Sequence, residues 1–179
     1  MATASSTKAS ARDTRTAAPK TASAEQQIRS FVAKYTPDVA AQLRAARKRL
    51  RTVFPRGCEL VYDNYNALAI GYASSDRAGD AIMSIAAYPK WVTLFFLHGK
   101  TLPDPHRLLQ GTGSRVRSIR LAPLALLDDA RVQALIDCAL ALHAAALRGA
   151  PPLRTIVKSV SARQRPRSPA VAAKRPTRG

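Results

Sequence analysis

The sequence predicts an α+β fold: an antiparallel sheet of about five strands, packed by two N-terminal helices and one long C-terminal helix. Three observations lead there. Residues 58–97 concentrate most of the aromatic side chains and the densest β-branched runs, which marks the centre of a core. Before and after that stretch, apolar residues recur with a helical period rather than alternating. The 179-residue length suits one domain with tails.

The elements follow in order. Ser23 and Gln26 form a capping-box pattern, and Ile28, Phe31, Val32 and Tyr35 then line one face of a first helix. Thr36-Pro37-Asp38 ends it and opens a second: an N-cap residue, proline at the first helical position, an acid in the first turn. This second helix carries Val39, Leu43, Ala46, Leu50 and Val53 on one stripe and stops before Pro55. Residues 59–62, 67–73 and 81–87 read as strands. Residues 91–97 are apolar on both faces, as in a central strand, with Trp91 expected as a large core aromatic. The Tyr88-Pro89-Lys90 link is too short for a crossover helix, so its flanking strands must be antiparallel.

Asp104-Pro105 is expected to open a short helix that Gly111 ends, and Gly111-Thr112-Gly113 to feed an edge strand over 116–121. Asp128 is expected to cap the last helix, striped by Val132, Leu135, Ile136, Ala139, Leu140, Ala146 and Leu147. Arg148-Gly149-Ala150-Pro151-Pro152 supplies its stop: a cation, a glycine, then prolines.

The net charge is +18, and it is unevenly spread. Residues 25–150 hold seventeen Lys/Arg against ten acids, whereas residues 151–179 hold eight and none. Two basic tails rich in Pro, Ser and Ala, 1–23 and 151–179, are therefore expected to be disordered around a domain of residues 24–150. No apolar run reaches the roughly 18 residues of a membrane-spanning helix. The first 24 residues lack the apolar stretch of a secretory signal, although their Ser, Thr, Ala and Arg also suit a transit peptide. Cys58 and Cys138 stand apart, outside any C-x-x-C spacing. That pattern is neither a zinc motif nor a disulfide framework, and it fits a reducing cytoplasm.

Candidate functional residues fall into a few groups. Glu59, Tyr62, Asp63, Asn64, Tyr65 and Asn66 gather at the entry to the sheet, where alternation puts Glu59, Val61 and Asp63 on one face. They read either as a ligand site or as a turn in which Asp and Asn satisfy backbone groups. Arg117 follows the Gly111-Thr112-Gly113 turn, a weak phosphate-binding pattern. Arg44, Arg47, Lys48 and Arg51 share one face of the second helix, able to track a phosphate backbone or simply to stay solvated. Arg163, Arg165, Arg167, Lys174 and Arg175 offer the same chemistry from the C-terminal tail. His98 and His106, with Asp104, lie near one end of the fourth strand, where they could meet around a metal. His143 falls on the apolar stripe of the last helix and reads as a buried, hydrogen-bonded histidine. No G-x-S-x-G or other local nucleophile context occurs, and no cofactor motif.

The run from Pro55 to Leu121 carries a wider pattern: Glu59 before an aromatic and polar turn, the YPKWVTLFFLHG strand, the LPDP segment and the GTGSRVRSIRL ending. It resembles the YdhG-like family of small, mainly bacterial α+β domains, over roughly residues 24–148. The resemblance implies a helix pair, an antiparallel sheet and a closing helix, with no defined chemistry. Some relatives carry a frataxin-like iron-delivery label, which implies surface carboxylates; this chain has two glutamates, Glu25 and Glu59.

Three functional readings follow. The leading one is a non-enzymatic cytoplasmic domain, monomeric or dimerised through an edge strand, that binds a small ligand or metal near residues 59–66. The alternative is a nucleic-acid-associated protein using its basic tails and the second helix. The third is an enzyme using the Tyr/Asp/Asn cluster with His98 or His106.

Overall fold

The computed structural model describes residues 22–169. Of the expected N-terminal tail only residues 22 and 23 are described, and Lys174 and Arg175 lie outside the described residues. The chain is α+β. Helices α1 (Ala24–Val32) and α2 (Pro37–Val53) precede four strands: β1 (Cys58–Asp63), β2 (Leu68–Ala73), β3 (Ala81–Ala87) and β4 (Val92–Phe96). Then come β5 (Arg117–Arg120), α3 (Ala130–Leu142), α4 (Ala144–Gly149) and β6 (Arg154–Val160).

The first two predicted helix starts hold. Ser23 and Gln26 close a reciprocal capping box, with the Gln26 amide donating to the Ser23 hydroxyl at 3.2 Å. Pro37 opens α2. The final helix begins one residue later than expected. Asp129, not Asp128, accepts the amide of Arg131, and Asp128 instead pairs with Arg49 of α2 at 3.1 Å. That helix is also not continuous, since His143 leaves helical geometry between α3 and α4. No helix forms over 104–111. The Asp104 carboxylate accepts the amides of Leu108 and Leu109, and these bonds fold the segment as a loop.

The sheet has six strands in the order β5-β4-β3-β2-β1-β6. The four β1-to-β5 pairings are antiparallel, as the short Tyr88-Pro89-Lys90 link requires between β3 and β4. The sixth strand corrects two expectations. Residues 151–160 are not a loose tail: β6 pairs in parallel with β1, which makes the sheet mixed and places Ile156 opposite Leu60 and Val157 opposite Val61. The reason lies in Thr155, Ile156, Val157 and Val160, β-branched residues behind the two prolines, for which β1 offers an unpaired edge. Residues 161–169 continue as a strap over the β1–β2 turn, where the amides of Ser161 and Arg165 donate to the carbonyls of Asp63 and Tyr65.

All three longer helices cover one face of the sheet. Ile28, Phe31, Leu43, Leu50, Val132 and Ile136 pack there against Val61, Ile70, Tyr72, Ile85 and Leu94 in one continuous core. Alternation sends Cys58, Leu60, Tyr62, Ala69, Gly71, Ser84, Thr93 and Phe95 to the other face, on which no described helix packs. Trp91 shares that parity. It is half-buried against Tyr88 and Arg120, so the expectation that it anchors the core is corrected, and Phe54 and Tyr72, with ring centroids 5.2 Å apart, hold that place.

Gly57 turns the chain from α2 into β1 at a φ of 107°, with its Cα against the Ala73 carbonyl, so no side chain fits there.

Candidate functional site

The two acids of the predicted entry cluster do sit on one face, and both are fully buried. Each is engaged by cations from the helices and the strap. The Glu59 carboxylate accepts from Arg47 Nε at 2.9 Å and Nη2 at 2.6 Å, from Arg51 Nη1 at 2.7 Å, from Thr155 at 2.8 Å and from Tyr72 at 3.1 Å. Arg47 also forks onto Glu25, whose carboxyl its hydrogen bond holds below the usual range. Although burial works against the charge on Arg47, the bonds to Glu25 and Glu59 prevail and raise its pKa. Burial and the Glu59 charge push the Tyr72 phenol well above its ordinary value. Every acceptor position on Glu59 is taken, so the network ties α1, α2, β1, β2 and β6 together.

Asp63 is engaged in the same way by different partners. Lys34 Nζ approaches one oxygen at 2.5 Å, and Arg167 Nη2 reaches the other at 3.4 Å. Arg167 also donates to the Asn64 carbonyl and lies over the Tyr35 ring, whose hydroxyl donates to Ala87 and accepts from Leu68. Burial lifts the Tyr35 phenol to about 12. Asn64, Tyr65 and Asn66 are exposed in the turn, and the Asn64 amide donates to the Ala67 carbonyl. The turn is thus closed by backbone bonds, and the Asp63 carboxylate meets Lys34 and Arg167 rather than backbone groups, so neither sequence reading describes the cluster. Tyr62 points to the other face with its hydroxyl buried and unpartnered, and burial raises its pKa.

The arginine face of α2 divides. Arg47 and Arg51 turn inward to Glu59, whereas Arg44 and Lys48 stay exposed. Arg163 and Arg165 are exposed on the strap, but Arg167, read from sequence as a free basic arm residue, is 1% exposed. Arg117 ties its own turn together by donating to the carbonyls of Gly113 and Val116 at 2.6 and 2.8 Å. The histidines meet in a different pairing from the expected one: His98 faces His143 with centroids 5.1 Å apart, and His106 lies elsewhere in the loop. His143 is therefore a half-exposed hinge residue, not a core histidine. Burial, with the charges of Arg115 and His143, lowers the His98 pKa. Among the described residues no three His, Cys, Asp or Glu side chains gather to hold a metal ion.

No described helix packs on the other face of the sheet, where Cys58, Leu60 and Ala73 are buried in a second small cluster and Trp91 is half-buried. Tyr88 and Trp91 stack there with centroids 5.4 Å apart, and the Arg120 guanidinium lies 4.4 Å from the Trp91 ring centroid. Phe95 and Tyr62 lie half-buried farther along the same face, and Arg120 and Arg154 stand exposed at opposite edges of the sheet, on β5 and β6. Sequence reasoning missed this grouping. Strand alternation from Trp91 held the signal, hidden by the assumption that the only tryptophan belongs to the core.

No protein-family model, curated protein or solved structure matches this chain.

Proposed function

We propose that the protein is a non-enzymatic, YdhG-like binding domain that takes single-stranded nucleic acid at the Tyr88–Trp91–Arg120 end of the helix-free face of its sheet. The observation that carries this reading is the Tyr88–Trp91–Arg120 stack, where aromatic surface and a cation share a face on which no described helix packs. Bases stack on aromatic and guanidinium planes while the backbone is drawn to the surrounding cations, and stacking of one base contributes about 1–3 kcal/mol. Charge supports it. Most described acids are already occupied: Glu25, Glu59, Asp63, Asp128 and Asp129 by cations, Asp80 by Ser75 and Asp104 by backbone amides. Much of the +18 charge is thus left facing solvent.

The small-ligand reading at residues 59–66 is less favoured, because internal cations saturate both carboxylates. Edge-strand dimerisation is opposed at β6 by Arg154 and Lys158, charges of the kind that blunt exposed edges. Two free cysteines, and no described helix long and apolar enough to cross a membrane, are compatible with a reducing cytoplasm.

Fluorescence titration of a labelled single-stranded oligonucleotide tests the reading. Arg120→Ala, at an exposed position, is expected to weaken binding about tenfold, and duplex of the same length to bind less tightly. Equal affinity of Arg120→Ala and Trp91→Ala with the parent chain would sink it. Preference for duplex would move the interface to Arg44, Lys48 and the strap.

A further inference from the structure

Between the C-terminal end of α2 and the break between α3 and α4 lies a groove of about 340 Å³. That is at the lower end of the roughly 300–1,000 Å³ of small-molecule sites. The groove has a local cause. His143 leaves helical geometry, and Ala141 and Ala144 line the groove on either side of it, so no long side chain fills the space beside α2. The lining is already in place. Phe54 is 1% exposed and packs on Tyr72 at 5.2 Å between ring centroids, while Leu140 and Leu147 lie half-buried against the core. The segment after α2 is fixed by its backbone: the Leu153 amide donates to the Pro55 carbonyl and the Gly57 amide to the Pro151 carbonyl. Hydrocarbon can therefore be buried there without reorganising the protein.

Charge enters the groove with one sign. Of its nine lining residues two are charged, Arg56 and Arg148, both exposed, and none is acidic. Arg47 and Arg51, one to three turns earlier on α2, are paired with Glu59. No ion pair among the described residues involves Arg56 or Arg148. The stems of such side chains extend an apolar wall while their guanidinium groups stay in water, free to meet a planar oxyanion with two parallel bonds. A patch bounded by nine residues is too small for the roughly 800 Å² that each partner buries in a stable protein interface, which favours a small molecule as occupant.

We propose that this groove binds a free alkyl carboxylate of the fatty-acid type. Its tail lies against Phe54, Leu140 and Leu147, and its carboxylate is held by Arg56 and Arg148. A hydrocarbon chain with one negative end is the chemistry that an apolar cleft with cations and no acid complements. No residue of the Tyr88–Trp91–Arg120 stack lines the groove, so the site stands whether or not that stack binds nucleic acid.

Amide NMR shifts of the full chain provide the test, with octanoate, octanol and octylammonium titrated separately at constant ionic strength. Saturable octanoate shifts centred on residues 53–57 and 140–148 are expected, with octanol weaker and octylammonium weakest. Arg148→Ala is expected to lower octanoate affinity about tenfold and to leave octanol affinity unchanged, a split that loss of packing alone would not give. Ala144→Leu, which fills the groove, is expected to abolish binding of both. If that variant unfolds, the exposed Arg148 position carries the test. The proposal is overturned by shifts that do not saturate, by equal affinity for octylammonium, or by unchanged octanoate affinity in Arg148→Ala. It is equally overturned if the chain forms a dimer that Ala144→Leu disrupts, because a second copy is then the occupant.

Discussion

Glu59 shows how far a side chain's role depends on what folds over it. In sequence it is an acid beside tyrosines. In the fold it is a buried carboxylate with five donated bonds from Arg47, Arg51, Thr155 and Tyr72. Removing one partner of a buried charge pair leaves the other uncompensated, so Glu59→Ala is expected to lower stability by about 3–5 kcal/mol, read as a drop in the urea midpoint. A loss under about 1 kcal/mol would mean that Arg47 and Arg51 reach water freely. Glu25 sets an acid-side dependence through the same network. Its folded pKa lies below 4.5, so the unfolded chain takes up its proton first as pH falls. Its contribution is then full above pH 4.5 and is lost as pH drops through the lower folded value. Urea midpoints measured from pH 6 to 3 should fall more steeply for the parent chain than for Glu25→Gln. Glu25 is half exposed, so the difference should be modest.

At the scale of elements, β6 decides what counts as the domain. Residues 151–179 look like a solubilising tail because their prolines and eight cations dominate, yet Ile156 and Val157 complete the β1 edge and Thr155 bonds Glu59. A chain cut to residues 22–150 would expose β1 as an unpaired apolar edge. We expect it to aggregate or lose its cooperative urea transition, while a chain of residues 22–169 keeps it; two coincident transitions would show that β6 is dispensable. The local signals that did specify elements were those with a local cause: the Ser23 capping box, Pro37 at the start of α2, the alternation in β2 and β3. Signals that failed were those where a nearby polar side chain competed for the backbone. Asp104 captures two amides and prevents a helix, and Asp129 takes the cap from Asp128.

For the whole molecule, charge is the property on which the proposed nucleic-acid binding most directly depends. Interaction of +18 with a polyanion releases counterions, so binding to single-stranded oligonucleotide should fall steeply between 50 and 200 mM salt, by roughly 300-fold if six phosphates are neutralised. A flat salt response would show that the charge serves only to keep the protein soluble. Distribution matters as much as total. Arg47, Arg51 and Arg167 are spent inside the fold, whereas Arg44, Lys48, Arg120, Arg163 and Arg165 are among the described cations left exposed to a partner.

The sequence by itself determined the α+β class, the two N-terminal helices, the four-strand meander and the alternation that separates Glu59 and Asp63 from Leu60 and Tyr62. These depend on periodicity and capping within a few residues, which the chain carries locally. Only the tertiary structure decided that Arg47 and Arg51 face inward, that Arg167 is buried beside Asp63, and that β6 pairs in parallel with β1. The contacts of β6 and the strap join residues about a hundred positions apart, as with Thr155 and Glu59 or Arg167 and Asp63, and Arg47 and Arg51 reach Glu59 only across the turn between α2 and β1. Which buried acid finds which arginine is settled by the packing of helices and strap on the sheet, and no local pattern encodes it.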